Sequence, residues 1–244
     1  MERQFAAFID DLKATHGRNL ASVILYGSAA AGDFVPARSD HNILIALHEI
    51  TPKDLRHAHA AVREWARMGN AVPVYFTVGE LQTAADVFPV EFHQMEKARK
   101  VLYGTDVLAG LTISDAFLRH QVEYELRSKL ILLRRQYIPA STTVEGLTRL
   151  MGDSFSSFAT LFAAVLLLHG FDPPAQKQET VALTAAKLGL DGAMFEKILN
   201  LRKDNFAGHL DERGANELFA DYMRQIEQVI DSVDKIGVDS AANA

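Results

Sequence analysis

The strongest constraint on the fold is a change of hydrophobic period near residue 110. Before it, short apolar runs typical of strands alternate with helical patterns, and the runs predict strands at 21–26, 42–47, 72–77 and 101–103. After it, apolar residues recur only at helical spacing, in four or five segments, the first of which is predicted to stop at Pro139. We therefore expect an α+β chain, with a small mixed-sheet domain at residues 1–108 followed by an all-α helical bundle at residues 109–240.

Two local patterns refine this prediction. Pro73 cannot donate a hydrogen bond to a neighbouring strand, so the third strand is expected at an edge of the sheet. The helix that contains Met151 and Phe155 is apolar around most of its circumference, so we expect it at the centre of the bundle.

Charge and cysteine content exclude several functional classes. The chain has 25 Lys and Arg against 31 Asp and Glu, which argues against broad electrostatic binding to nucleic acid. It contains no cysteine, which excludes a disulfide framework, a thiolate metal site and a cysteine nucleophile. The longest unbroken apolar run, at 161–168, is far short of the roughly 20 residues of a membrane helix. We expect a cytoplasmic protein that does not bind a membrane.

The segment between the first two predicted strands carries the chemistry. The first strand leads into Gly27 and Ser28 at the start of a short helix, where free backbone amides favour a phosphate. Gly27 lets a ligand approach closely, and the Ser28 hydroxyl can donate a further hydrogen bond. Asp40 stands just before the second strand and meets this turn if the two strands are neighbours. The alternative interpretation is an ordinary strand-to-helix turn, with Ser28 and Asp40 acting as caps.

This segment resembles the nucleotidyltransferase superfamily of the DNA polymerase β type, in particular its small bacterial members and kanamycin nucleotidyltransferase. The family pattern is an apolar strand, Gly-Ser, a gap that contains Gly, and Ser-Asp-x-Asp leading into another apolar strand. The matching residues are Gly27, Ser28, Gly32, Ser39 and Asp40. The resemblance is detailed over residues 21–47 and extends in outline to about residue 104.

The resemblance implies transfer of a nucleoside monophosphate from a nucleoside triphosphate to a hydroxyl acceptor, with Mg²⁺ as cofactor. It assigns Gly27, Ser28, Arg38 and Ser39 to nucleotide binding, although Arg38 also fits a solvated loop residue. It assigns both catalysis and metal binding to Asp40 and to the residue that follows two positions later, because residues two apart on a strand share a face. That residue is Asn42, whose amide oxygen can ligate a cation but carries no charge and cannot act as a base.

The third acid of the family is expected on the strand at 72–77, which has none. The nearest acids downstream, Glu80, Asp86 and Glu91, fall on predicted helices. The metal site is therefore interpreted as degenerate. The alternative hypothesis is a catalytically impaired pseudoenzyme that binds nucleotide and has a regulatory role.

A second motif lies in the predicted bundle. Arg202 is followed seven positions later by His209, which looks like the motif of HEPN-type helical domains. Some members of that group are ribonucleases, and Arg with His suits phosphate chemistry because Arg stabilises charge and His transfers protons. A chance pairing beside Gly208 is the simpler interpretation. The bundle itself is expected either to close the acceptor pocket or to form a homodimer.

Overall fold

The structure is a computed structural model that describes residues 2–32, 40–203 and 210–236. It divides into two compact units, Met1–Asp115 and Ala116–Ala244. The division falls in a segment, 105–117, that has neither helix nor strand. The boundary predicted at 108 lies in the same segment.

The first unit is a four-stranded sheet with helices on both faces. A 3₁₀ turn at Gly17–Asn19 joins the first helix to the first strand. The elements are α1 (Glu2–His16), β1 (Leu20–Tyr26), α2 (Ser28–Ala31), β2 (Asn42–Leu47), α3 (Pro52–His57), α4 (His59–Arg67), β3 (Val74–Thr77), α5 (Val78–Thr83), α6 (Pro89–Lys97) and β4 (Arg99–Gly104).

The sheet is mixed, in the order β3-β2-β1-β4. Strand β1 runs antiparallel to both β2 and β4, whereas β2 and β3 are parallel and are joined through α3 and α4. All four predicted strands are present, and the edge position of β3 is confirmed. It begins after Pro73 because proline has no N–H for the ladder. The antiparallel pairing brings the end of β1 beside the start of β2.

Alternation along the strands sorts the core of this unit into two layers. On one face, α1 and α4 cover the sheet with Phe8, Leu12 and Trp65. On the other face, α5 and α6 cover it with Leu81, Phe92 and Met95. Strand β2 supplies both layers, because Ile43 and Ile45 point to the first and Leu44 and Ala46 to the second. Burial of each such large aliphatic side chain stabilises the unit by about 1.5–3 kcal/mol.

The second unit is a helical bundle around one apolar helix. Its described helices are α7 (Leu118–Ala140), α8 (Val144–Leu168), α9 (Lys177–Leu188), α10 (Gly192–Lys203) and α11 (Glu212–Lys235). Helix α8 packs against the other four, which confirms its predicted central position. Phe155 on α8 stacks on Phe195 at 5.3 Å between ring centroids and meets Tyr222 edge-on at 6.1 Å.

Two features of the bundle differ from what the sequence predicts. Helix α7 continues one residue past Pro139 to Ala140, because at the end of a helix the lost hydrogen bond and the kink at proline disturb no following turn. Among the described residues, α8 is long and apolar enough to cross a membrane by length and composition, with 56% of its most apolar window buried inside the protein. A central bundle helix has a similar composition, because most of its circumference packs against neighbouring helices, while the exposed strip of α8 carries Arg149, Asp153 and Ser157.

Candidate functional site

The candidate site is built where β1 ends. The last residue pair of the β1–β2 ladder joins Tyr26 to Asn42, and the chain then turns at Gly27 with φ +75° and ψ −151°. Side chains with a Cβ rarely adopt this backbone conformation, which explains the glycine. The Gly27 amide donates a hydrogen bond to the carbonyl of Ala98 at 3.1 Å. The turn is therefore fixed by β2 on one side and by the start of β4 on the other.

Helix α2 starts directly after this glycine. Its first hydrogen bonds are those from the amides of Ala30 and Ala31 to the Gly27 carbonyl, both at 3.0 Å. The amides of Ser28 and Ala29 precede these bonds and cannot take part in the helix ladder. Because α2 is a single turn, its dipole is small. A phosphate bound here would accept hydrogen bonds from these two amides and from the Ser28 hydroxyl.

Asn42 lies against the turn. A Cβ built on Gly27 would come within 3.2 Å of the Asn42 side-chain nitrogen, so the amide group occupies the space beside the glycine. By strand alternation Asn42 shares a face with Leu44 and Ala46, the face that α5 and α6 cover. Asp40 is exposed and precedes β2. The structure thus brings Gly27 and Asn42 together, as expected for residues at the adjacent ends of two paired strands.

His41 lies on the opposite face from Asn42. Its Nδ1 is 2.7 Å from the side-chain oxygen of Asn70, and its ring meets Phe5 edge-on at 5.1 Å between centroids. It is buried beside Trp65 in the layer under α1 and α4. His41 therefore packs beneath the site and is not part of it.

Strand β3 has no acid to complete a metal site. Val74 pairs with Leu44 and therefore lies on the face of Asn42, but it is an exposed valine. The next acid, Glu80, is used in a capping box: its carboxylate accepts from the Thr77 amide at 2.7 Å, and Thr77 Oγ1 accepts from the Glu80 amide at 3.0 Å. Within residues 2–32, 40–203 and 210–236, no three His, Asp or Glu residues form a group that could hold a metal.

Two residues that sequence analysis did not place at the site lie at this end of the sheet. Tyr26, half-buried, is the ladder partner of Asn42, and burial raises the pKa of its hydroxyl, with a further rise from the charge of Glu91. Glu91 is exposed on the first turn of α6. The sequence could have indicated Tyr26, because it stands on a strand directly before Gly27. The approach of Glu91 to Tyr26 depends on how α6 folds back, and no local sequence pattern predicts it.

The remaining predicted site residues fall where the structure gives no side-chain description. Arg38 and Ser39 lie outside the described residues, as does His209. Arg202 is part of helix α10, and only its backbone is described. Their assignments to nucleotide binding and to HEPN-type chemistry stay predictions.

Comparison with known proteins links this geometry to a fold. No protein-family model matches the chain, and no curated protein matches it. Among solved structures, the chain is similar to spectinomycin adenyltransferase AAD(9) from Enterococcus faecialis, solved with ATP and spectinomycin, with a TM-score of 0.57 and 12% sequence identity. The similarity covers 96% of this chain and 100% of that one, so it includes both the sheet unit and the helical unit. At this identity the likeness concerns architecture, and the chain has the nucleotidyltransferase-type fold.

Proposed function

We propose that the protein binds a nucleoside triphosphate at the Gly27 turn and transfers its nucleoside monophosphate to a hydroxyl of a small molecule. The observation that carries the proposal is the conformation of Gly27, held between the Ala98 carbonyl and the Asn42 side chain at the start of α2. The same fold, in spectinomycin adenyltransferase AAD(9), was solved with ATP and spectinomycin.

The residues of the turn have distinct roles in this proposal. The amides of Ser28 and Ala29 and the Ser28 hydroxyl hold phosphate oxygens, and Gly27 keeps the approach free of a side chain. Asp40 and Asn42 would hold Mg²⁺, which needs few protein ligands because substrate phosphates and water complete its shell. When bound there, the ion would offset negative charge on the phosphates. One carboxylate and one amide oxygen meet this minimum, but with less negative charge than a pair of acids.

A second candidate is a nucleotide-binding pseudoenzyme. It is favoured by one specific observation: the two positions on this face where an acid would complete the site carry Asn42 and Val74. Neither side chain can take a proton from an acceptor hydroxyl. In this case the turn still binds the triphosphate, and its occupancy has a regulatory role.

Calorimetric titration with ATP and with GTP, each with and without Mg²⁺, tests the binding step that both candidates share. We expect binding that tightens when Mg²⁺ is present, and an Asp40→Ala variant that loses this tightening. Asp10→Ala is the matched control, because it removes an exposed carboxylate of the same unit whose ion pair, with Lys13, lies within α1. Absence of binding under every condition would contradict both candidates.

Transfer itself separates the two candidates. Incubation with α-labelled ATP or GTP and a mixture of hydroxylated small molecules should produce a labelled adduct with release of pyrophosphate if the protein is an enzyme. Binding without any adduct would favour the pseudoenzyme. Asp40→Ala with unchanged transfer would refute the proposed metal role.

A further inference from the structure

The outer face of α7 carries a line of exposed apolar side chains. Phe117, directly before the helix, and Tyr124, Ile131 and Ile138 within it follow one another at intervals of seven residues. Their exposed fractions are 59%, 65%, 57% and 73%. We call these four residues the α7 stripe. Single exposed apolar residues are common on protein surfaces, but four at one spacing are a pattern.

The α7 stripe is separate from the core of the bundle. The buried residues of α7 are at other positions of the helix: Leu118, Val122, Leu126, Leu130 and Leu133. Seven residues are nearly two helical turns, so the stripe runs almost parallel to the helix axis over roughly 30 Å. An apolar line with this period is typical of a helix that packs along another helix.

A recess lies next to the α7 stripe. Arg127, Leu130, Ile131 and Arg134 border it on α7, at the relative positions i, i+3, i+4 and i+7 that form a hole in coiled-coil packing. Helix α11 closes its other side, and its volume is about 190 Å³. Ion pairs fix the rim, since Arg134 meets Glu227 at 2.6 Å and Arg127 meets Glu123 at 2.8 Å.

We infer that the α7 stripe and this recess form the interface of a homodimer in which two copies of α7 pack antiparallel about a two-fold axis. The spacing is self-complementary in that arrangement, because Phe117 of one copy lies opposite Ile138 of the other and Tyr124 lies opposite Ile131. Tyr124 of each copy then enters the recess beside Ile131 of the other. The interface is isologous, because the same surface of each copy contacts the other. Tyr124 of each copy fills the recess of its partner.

The charged side chains on α7 and around the recess favour an antiparallel pair and the insertion of a tyrosine. A tyrosine ring between Arg127 and Arg134 gains cation–π attraction. Its hydroxyl also reaches the carboxylates of Glu227 or Asp231 on the other wall of the recess. A parallel pair would instead place Arg135, which is exposed on the same side of α7, against its own copy.

The available area predicts a reversible dimer. Each stripe residue offers on the order of 100 Å² of exposed surface, so the two stripes bury roughly 800 Å² together before flanking residues are added. This lies at the low end for specific association, where complexes form and dissociate readily. The oligomeric state should therefore depend on protein concentration in the micromolar range.

Sedimentation velocity across that range tests the proposal on the full chain. Wild-type protein should shift from monomer to dimer, and Ile131→Glu should weaken the dimer by about tenfold or more because a charge would be buried at its centre. Gln136→Glu adds the same charge at an exposed position of α7 outside the stripe and should leave the dimer unchanged. Circular dichroism checks that both variants keep their helices. A wild-type chain that stays monomeric, or an Ile131→Glu chain that dimerises normally, overturns the inference.

Disulfide trapping tests the antiparallel geometry, since the chain has no cysteine of its own. Ser128 lies near the proposed two-fold axis, so Ser128→Cys should form a covalent dimer under mild oxidation. Ile138→Cys should not, because the two copies of residue 138 would be roughly 30 Å apart along the helices. Efficient trapping through residue 138, or none through residue 128, overturns the antiparallel arrangement.

Discussion

Substitution of Gly27 by alanine is the sharpest test of the site geometry. The backbone at Gly27, φ +75° and ψ −151°, belongs to a region used almost only by glycine, and occupying it with another residue costs about 1–3 kcal/mol. The new methyl group would also stand 3.2 Å from the Asn42 side-chain nitrogen, so that side chain must move. From the backbone strain and the close contact together, we expect a loss of about 2–3 kcal/mol in the free energy of unfolding of the first unit.

Gly32→Ala is the matched control, because this glycine ends the same short helix. Its φ of +84° and ψ of 6° are left-handed helical, and a Cβ there meets no atom of the described residues within 4 Å. The expected loss is about 1 kcal/mol, from the backbone alone. The difference between the two variants therefore measures the extra backbone strain at Gly27 together with its close packing against Asn42.

The assay is urea unfolding followed by tryptophan fluorescence. Trp65 is the single tryptophan of the chain, and it is buried against Phe8 at 4.5 Å between ring centroids, so its emission reports the first unit. With an m value of about 2 kcal/mol per molar, Gly27→Ala should lower the urea midpoint by roughly 1 M. Nucleotide affinity should fall in Gly27→Ala and persist in Gly32→Ala. Equal midpoints for the two variants would refute the argument.

Two further predictions concern the same unit. His16 is buried, and neither of its ring nitrogens has a hydrogen-bond partner among the residues that the structure describes. Burial lowers its pKa below the ordinary 6.5, against a smaller rise from Asp54 and a small further lowering from His57. The unfolded chain therefore binds the proton more readily, so the unfolding free energy should be constant above about pH 6.5 and decline below it. His16→Phe should flatten this decline in urea titrations read by fluorescence, and an unchanged profile would contradict the assignment. Gly104→Ala should cost more than about 3 kcal/mol, since a Cβ there overlaps the β1 backbone. Gly110→Ala has a similar φ, but its Cβ would meet no atom of the described part of the chain within 4 Å, and it should cost about 1 kcal/mol in the same assay.

Local patterns predicted most elements of this chain, although Asp86, which was expected on a helix, lies in the turn between α5 and α6. The run at 42–47 is bounded and apolar, and strand β2 has the same limits. The capping box of Thr77 and Glu80 was also readable from the sequence as Thr-x-x-Glu, and it would have removed Glu80 from the candidate ligands. Such features depend on residues a few positions apart.

The contacts that define the site depend instead on distant segments. The hydrogen bond from Gly27 to Ala98 and the approach of Glu91 to Tyr26 follow from the pairing of β4 with β1 and from the path of α6. Hydrophobic periodicity gives no information about strand order or register between distant strands. The sequence could therefore indicate which residues belong to the turn, but not what surrounds them.

Asn42→Asp addresses directly whether charge is what limits this site. Aspartate has nearly the same shape as asparagine, so a carboxylate oxygen would take the place of the nitrogen beside Gly27 without a new overlap. The register with Tyr26 is a backbone property and should not change. We expect Asn42→Asp to tighten Mg²⁺-dependent triphosphate binding by about tenfold, since magnesium prefers charged oxygen ligands. Val74→Asp, which adds a carboxylate on the same face of the edge strand, is the comparison. If Asn42→Asp binds triphosphate no better with Mg²⁺ than without it, the second residue of the pattern does not face a metal, and the turn at Gly27 holds phosphate by its amides alone.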